Sequence, residues 1–290
     1  MLRELRAEDA EEVSRLIRDA NPERTIDAEE VRSWLTQGLV DPEDIRVLVE
    51  DGRAVGYVDL FVREDLAYLD PNGVGREPVL LDWAERRARE KGMRKVRLPV
   101  WQGQDALAAT LAMRGYERVR SSFEMAIDLG DEPPPPPVWP DGIVVRTYRP
   151  DMDERATYEA QEDAFRDVWD WRPQSIHQWR KFELEARGFD PSLWFLARDD
   201  EEIAGICLAF PERVGDPALG WISVLGVRRP WRRRGLAEAL LRHSFRELHA
   251  RGLRRVGLGV DAESPTGATR LYERVGMHVA VRSDSWDKQL

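Results

Sequence analysis

Cysteine is nearly absent from this chain: Cys207 is the only one in 290 residues, which excludes a disulfide within the chain. No stretch approaches the ~20 apolar residues that a membrane-spanning helix needs. The first residues lack the apolar segment of a secretion signal, so we expect a cytoplasmic protein. The four histidines show no spacing typical of metal ligands, and we expect no metal.

Positive charge is also in short supply, because 44 Lys and Arg face 54 Asp and Glu, a formal net charge of −10. Such a chain is a poor general binder of nucleic acid or of anionic membranes. A lysine-bearing phosphate loop and a G-x-G-x-x-G segment are both absent, which disfavours nucleotide hydrolysis and a dinucleotide fold. Aromatic residues are plentiful, with 11 Trp, 8 Phe and 6 Tyr to fill cores. At roughly 100–200 residues per domain, the length predicts two domains.

One proline-rich segment divides the chain. Residues 130–142 read G-D-E-P-P-P-P-P-V-W-P-D-G, and consecutive prolines cannot join a helix or a central strand. We interpret the segment as a stiff linker, with a docking site for a proline-binding domain as the alternative. The linker separates predicted domains over residues 1–129 and 143–290.

The two halves repeat the same order of elements. Each begins with a short strand and an acidic helix start, followed by a strand pair, a long helix, another strand and another helix. Leu80 corresponds to Leu240 and Gly115 to Gly276, an offset of about 160 residues that indicates duplication of a whole domain. The alternation of strands and helices predicts an α/β fold with a mixed sheet in each half.

A phosphate-binding turn is the strongest functional signal. After the apolar strand Trp221 to Val227, the chain enters the basic turn R-R-P-W-R-R-R-G, which opens a helix. Backbone N–H groups at a helix start are unpaired, and the helix dipole adds positive potential. Gly235 and Ala237 leave room for a ligand, so the turn predicts phosphate binding. A basic surface for nucleic acid is the alternative.

The turn also carries a family resemblance. R-x-x-G-x-A at Arg232, Gly235 and Ala237 resembles motif A of the Gcn5-related N-acetyltransferases (GNAT), and L-Y-E-R-V-G-M at residues 271–277 resembles motif B. On these motifs, residues 143–290 are identified as a member of that family. The double arrangement resembles the mycothiol-synthase-like members. The resemblance implies two tandem GNAT-type acyl-CoA N-acyltransferase domains of mixed α+β architecture.

The resemblance implies acetyl-CoA as co-substrate, with its pyrophosphate on the turn and its pantetheine arm along the preceding strand. Ser264 lies where many relatives carry an asparagine that contacts pantetheine, and its hydroxyl offers fewer hydrogen bonds. The implied cofactor-binding residues are Leu225, Gly226, Val227, Arg232, Arg233, Arg234, Gly235, Leu236, Ala237 and Ser264.

Tyr272 matches the family tyrosine that protonates the departing thiolate, and a phenol with a pKa of roughly 10 suits that task. A core tyrosine is the alternative reading. The general base is not predicted. Where some relatives carry a glutamate, this chain has Trp221, which cannot accept a proton. Asp261, Glu263 and a water chain to Glu162 stay open as substitutes.

The acceptor is expected to be an amine of a small molecule or peptide, acetylated directly in a ternary complex. Two roles are open for the tryptophans of the region between the first helices: they line the acceptor-binding site, or they only pack in the interior. These residues are Trp169, Trp171 and Trp179. A non-catalytic acyl-CoA sensor or interaction module is the alternative function. The chain is expected to be a monomer with two similar halves, or a homodimer.

The first half has lost the motif. Aligned on the long helix, Asn72, Gly75 and Glu77 replace Arg232, Gly235 and Ala237. Glu77 brings negative charge, Pro78 lacks an N–H, and Leu111 stands near the position of Tyr272. An alternative alignment on Gly73 and Gly75 puts Asp70 in place of the arginine. Either way, we predict a degenerate GNAT-like domain that packs on the second.

Overall fold

The computed structural model describes residues 1–22, 24–37 and 40–290, without the side chain of Gln37. The chain forms two compact units. The N-terminal unit comprises Met1–Ser122 and Val281–Leu290, and the C-terminal unit comprises Phe123–Ala280. Within the described ranges, no helix is both long enough and apolar enough to cross a membrane.

The N-terminal unit packs helices on a mixed sheet. Its helices are α1 (Ala10–Ala20), α2 (Ala28–Gln37), α3 (Glu77–Glu90) and α4 (Asp105–Met113). Its strands are β1 (Leu2–Glu4), β2 (Ile45–Glu50), β3 (Arg53–Arg63), β4 (Leu66–Leu69) and β5 (Lys95–Trp101), with parts of β6 (Glu117–Asp128) and β12 (His278–Gln289). The strand order is β1-β2-β3-β4-β5-β12-β6. Strands β4 and β5 run parallel, as a helical crossover between them requires.

The C-terminal unit repeats this plan. Its helices are α5 (Pro150–Phe165), α6 (Ile176–Trp179), α7 (Leu236–Ala250) and α8 (Ala268–Arg274), and a π-helical turn, Arg180–Leu184, extends α6. Its strands are β7 (Ile143–Thr147), β8 (Trp194–Asp199), β9 (Glu202–Phe210), β10 (Leu219–Val227) and β11 (Arg255–Asp261). With the end of β6, the order is β6-β11-β10-β9-β8-β7. The predicted duplication and mixed sheet are confirmed.

The compact units differ from the predicted boundaries because the last strands of the two repeats are exchanged. Residues 283–289 of β12 follow the C-terminal repeat, yet they pair antiparallel with Lys95–Trp101 of β5. The end of β6 follows the N-terminal repeat, yet it lies beside β11, where the Leu129 N–H donates to Arg254 O at 2.8 Å. A strand with alternating polar and apolar residues can pair with either β5 or β11. The sequence pattern therefore does not predict which of these strands β6 and β12 pair with.

The proline-rich segment belongs to the C-terminal unit and lies along α7, so it is not a free spacer. The guanidinium of Arg246 donates to Pro134 O at 2.6 Å, and Pro134 is buried. The Trp139 ring meets the His243 ring edge-on, with centroids 5.6 Å apart. Proline carbonyls have no ladder to join and remain available as acceptors, which suits a strap over a helix.

The exchanged strand β12 yields a stability prediction. The Asp287 carboxylate takes two hydrogen bonds from the Arg97 guanidinium, at 2.6 and 2.8 Å, and their side chains are only 12% and 7% exposed. Asp287→Ala leaves this buried cation without that partner, so the free energy of unfolding should fall by about 3 kcal/mol in urea titrations. The control Asp82→Ala breaks a pair whose acid is 65% exposed, and should cost under about 1 kcal/mol. Equal losses in both variants would contradict this account of β12.

Candidate active site

A gap opens between two parallel strands of the C-terminal unit. Strand β10 pairs with β11 from Leu219 with Arg255 to Ile222 with Leu258, and the ladder stops there. Residues 224–227 of β10 keep their antiparallel pairing with β9. Their other edge therefore has no strand partner in β11, and it can pair with an extended amide-bearing ligand. Leu225, Gly226 and Val227, all predicted to bind cofactor, lie on this segment.

A β-bulge marks the point where the strands part. The register between β10 and β9 shifts between Ile222 and Val224, which leaves Ser223 outside the regular ladder. Ile222 packs in the core on the α7 side of the sheet, whereas Val224 packs with Trp179 on the α5–α6 side. The extra residue thus shifts the alternation of the later side chains of β10 between the two faces of the sheet.

The turn after β10 presents unused backbone donors. Gly235 caps the start of α7 with φ +84°, and Arg233 also has a positive φ of +61°. Among the described residues, no hydrogen bond uses the N–H groups of residues 233–237. A β-carbon on Gly235 would meet no atom within 4 Å, so the space above the turn is open. The turn has the geometry of the predicted anion site.

The arginines of this turn have different surroundings. The Arg232 guanidinium donates to Val227 O, to Ala164 O and to the Asp167 carboxylate, at 3.0, 2.9 and 2.7 Å. Its side chain therefore fastens the end of β10 to the end of α5. Asp167 also pairs with Arg229, and both cations hold the pKa of Asp167 well below its usual range.

Arg233 and Arg234 are exposed cations of the turn that no carboxylate holds closely, whereas the exposed Arg229 is paired with Asp167. Arg234 reaches Asp199 only at 4.0 Å and Asp141 O at 3.4 Å. Within the described part of the chain, the Arg233 side chain makes no hydrogen bond or ion pair. The positive charge available to a ligand thus comes from these two residues and the backbone.

Tyr272 lies in the core beside the gap. It is 7% exposed and belongs to the same apolar cluster as Cys207, which pairs with Leu225 of β10. Burial, with a smaller contribution from Cys207, raises the pKa of Tyr272, so the phenol stays protonated at neutral pH. No described residue hydrogen-bonds to its hydroxyl. A protonated, unengaged phenol beside the gap can donate to a ligand there.

Ser264 is held within its own turn. Its hydroxyl lies 2.8 Å from the Thr266 hydroxyl, and its carbonyl accepts from the Gly267 N–H at 3.2 Å. Asp261 similarly accepts from the Glu263 N–H at 3.0 Å. These contacts give Ser264 a local structural role and leave its predicted contact with pantetheine a prediction.

Trp221, at the position of the family glutamate, is covered by a cation. The Arg213 guanidinium lies over its ring, 4.4 Å from the centroid, and is itself held by Glu124. A β-carbon on Gly257 would come within 2.9 Å of the Trp221 ring, so glycine is needed there. The position is filled by packing and offers no proton acceptor.

A buried carboxylate, that of Glu183, lies beside the bulge, and no motif of the sequence indicated it. Glu183 lies in the π-helical turn after α6, is 8% exposed, and its carboxylate is 3.3 Å from the Ser223 hydroxyl at the bulge. Burial raises its pKa to about 7, against the opposing hydrogen bonds from Gln161 and Ser223. Gln161 is oriented by the Trp179 indole, which donates to its carbonyl oxygen at 2.9 Å.

The three tryptophans of the helical region have different surroundings: Trp169 is 37% exposed, Trp171 lines a surface cleft and Trp179 is buried. Trp179 is fully buried, which confirms the packing interpretation for that residue. Trp171 lies against Phe165 and lines an open cleft of about 470 Å³. The remaining lining residues are Tyr158, Glu159, Glu162, Asp163, Arg166 and Pro173.

Among the described residues of the N-terminal unit, the place that corresponds to the gap is filled. Beyond β4, Asn72 bridges back to Tyr57 of β3 through two backbone hydrogen bonds of 2.7 Å. The Arg24–Asp70 ion pair, at 2.5 Å, occupies the place beside β4 and β5 and leaves about 10 Å³, room for one water. Arg76, at the start of α3, is paired with Glu50 at 2.8 Å.

Comparisons with known proteins agree with this fold. Residues 154–277 match the model of the acetyltransferase (GNAT) family. A mycothiol acetyltransferase of Thermomonospora curvata is 33% identical over 245 residues, 79% of this chain and 76% of that protein. One from Geodermatophilus obscurus is 34% identical over 220 residues, 74% of this chain and 68% of that protein.

Solved structures extend the likeness to the whole chain. A GCN5-related N-acetyltransferase from Sphaerobacter thermophilus has a TM-score of 0.83 and 35% identity, covering 100% of this chain and 95% of that one. A tandem GNAT protein from the clavulanic acid biosynthesis pathway shares the fold, with a TM-score of 0.74 and 18% identity over 100% and 98% of the two chains. The fold is thus that of tandem GCN5-related N-acetyltransferases. The chain belongs to the acetyltransferase (GNAT) family and is an N-acetyltransferase.

The raised pKa of Glu183 predicts how stability depends on pH. Its ordinary value is 4.5 and its folded value about 7, so the folded protein binds more protons than the unfolded chain between these pH values. The free energy of unfolding contributed by this group therefore falls as the pH rises through that window. Glu183→Gln does not titrate, and by pH 8 it should be more stable than wild type by about 3 kcal/mol, with little difference at pH 4.

Thermal unfolding of both proteins across this pH range checks the prediction. The exposed neighbour Glu185 provides a matched control, and Glu185→Gln should follow the wild-type curve. A Glu183→Gln curve parallel to wild type at every pH would show that Glu183 has an ordinary carboxylate.

Proposed function

We propose that the C-terminal unit transfers an acetyl group from acetyl-CoA to an amine of a small molecule, with both substrates bound at once. GNAT proteins generally use acetyl-CoA, and the parting of β10 from β11 above a turn with unused N–H groups is the observation that carries the proposal. The unpaired edge of β10 suits the amides of a pantetheine arm, and the turn suits a pyrophosphate. Arg233 and Arg234 add charge at its outer end.

The chemistry follows from the groups around the gap. The neutral acceptor amine attacks the thioester carbon, and an N–H on the unpaired edge of β10 stabilises the developing oxyanion. The C–S bond then breaks, and the Tyr272 hydroxyl gives its proton to the departing thiolate. Cys207 takes no part as a nucleophile, because it is fully buried and burial raises the pKa of its thiol to about 12.

A small-molecule acceptor is favoured by the relatives named mycothiol acetyltransferase. We propose a primary amine from this chemical class, with the deacetylated form of mycothiol as the first compound to test. The acidic cleft next to Trp171 suits a cationic ammonium group.

We further propose that the N-terminal unit binds no acetyl-CoA. Its corresponding turn has Glu77 and Pro78 at the helix start, and its cation Arg76 is neutralised by Glu50. The Arg24–Asp70 pair fills the place that a pantetheine arm would need. One coenzyme A per chain is therefore expected in titration calorimetry.

The transferase activity is tested by thiol release from acetyl-CoA with a panel of amines that includes deacetylated mycothiol. Tyr272→Phe should lower kcat about a hundredfold, because the thiolate then leaves without an acid, while the Kd for coenzyme A stays near wild type. Tyr68→Phe, in β4 of the N-terminal unit, is the control and should keep kcat. Unchanged turnover in Tyr272→Phe would remove Tyr272 from the mechanism.

The phosphate-binding turn after β10 is tested by reversing its charge. The double change Arg234→Glu and Gly235→Asp puts two carboxylates where pyrophosphate should lie and forces a positive φ on an aspartate. Calorimetric binding of coenzyme A should be lost. Arg251→Glu, at the far end of α7, is the control and should bind normally. If the double variant still bound coenzyme A, the turn would not be the pyrophosphate site.

A further inference from the structure

A buried carboxylate at the bulge of β10 has no counter-ion among the described residues. The polar groups that face Glu183 are the Ser223 hydroxyl from β10 and the Gln161 amide from α5, and no charged side chain of the described residues contributes to its pKa shift. Its neighbours Arg180 and Glu154 pair with each other at 2.6 Å. An unpaired buried carboxylate weakens a fold, so packing alone does not explain it.

The place of Glu183 relative to the gap is informative. The phosphate turn lies beyond the end of β10, so a thioester chain that runs back along residues 227–224 ends near Ser223. Tyr272 lies in the apolar cluster on the α7 side of the sheet. Glu183 instead follows Trp179, whose cluster lies on the α5–α6 side. An acid and a proton acceptor thus flank the same end of the gap from opposite faces.

Ser223 connects the buried carboxylate with the open side. It is exposed, it lies outside the β ladder, and its hydroxyl is within hydrogen-bond distance of both Glu183 and Leu208 O, at 3.3 and 3.2 Å. A hydroxyl accepts and donates at once, so it can pass a proton.

We propose that Glu183 is the proton acceptor of the acetyl transfer and that it takes the proton of the acceptor ammonium through the Ser223 hydroxyl. This assignment rests on the proposed function. Ser223 accepts a proton from the ammonium as it gives its own to Glu183, which produces the neutral amine and a protonated carboxyl.

The protons balance over the reaction. Of the three on the ammonium nitrogen, one stays on the amide product and one goes to Glu183 and then to solvent. The third replaces the proton that Tyr272 gives to the thiolate. The C–N bond forms, the C–S bond breaks, and no other reactant is needed.

The test is the pH profile of kcat/KM with the amine that the panel identifies as acceptor. Because the pKa of Glu183 is about 7, wild type should lose activity below that pH. Glu183→Gln should lower kcat/KM about a hundredfold at pH 8. It should also abolish the acidic limb of the profile, which is the fall of kcat/KM below pH 7, and leave coenzyme A binding unchanged. The control Glu185→Gln should keep the wild-type profile.

Ser223→Ala provides a second variant with a different expected signature. The Ser223 hydrogen bond lowers the pKa of Glu183, so its loss should move the limb to higher pH and reduce kcat/KM about tenfold. A purely structural role would lower activity evenly and leave the limb in place.

Two outcomes overturn the assignment and can be told apart. Glu183→Gln with the wild-type limb and more than half of the wild-type kcat/KM would show that another group takes the proton. A wild-type protein that acetylates no amine in the panel would overturn the proposed function, and this assignment with it.

Discussion

The separation of β10 from β11 after Ile222 and Leu258 is the constraint on which the site depends. A parallel ladder that continued to Val227 would use every donor and acceptor of that edge. The bulge at Ser223 ends the regular register and turns Val224 towards α5 and α6. Gly226 then lets α5 approach, because a β-carbon there would come within 3.0 Å of Ala164. Gap, bulge and helix contact are thus parts of one local arrangement.

Charge in the site is distributed differently from what the run of arginines suggests. Three acids, Asp163, Asp167 and Asp199, lie against the basic turn. Arg232 holds two elements together, and each nitrogen of its guanidinium donates one hydrogen bond within the protein. The attraction for an anion then rests mainly on backbone N–H groups, whose direction is fixed by the positive φ at Gly235. Such dipoles need no reorganisation when a ligand binds.

Much of the fold could be predicted from the sequence, because the duplicated order of elements and the motifs around Gly235 and Tyr272 are local signals. The exchange of β6 and β12 could not, since alternation does not specify the neighbouring strand. Glu183 could not be predicted from the sequence, because it belongs to no recognised motif and a charged residue is ordinarily exposed. The π-helical turn changes the direction of its side chain, and this depends on packing with Trp179 and Gln161.

The two repeats differ in how many polar groups beside the corresponding strands have protein partners. In the N-terminal unit, the place beside β4 and β5 is closed by the Arg24–Asp70 pair and the Asn72 bridge, so the charged groups there pair with each other. Even there the charged form of Asp59 is disfavoured, because burial and the nearby Asp70 raise its pKa to about 7. The C-terminal unit leaves N–H groups, a phenol and a carboxylate without strong protein partners, all around one gap. Unsatisfied groups that destabilise a fold persist where a ligand satisfies them, and their concentration beside β10 distinguishes the C-terminal repeat from the N-terminal one.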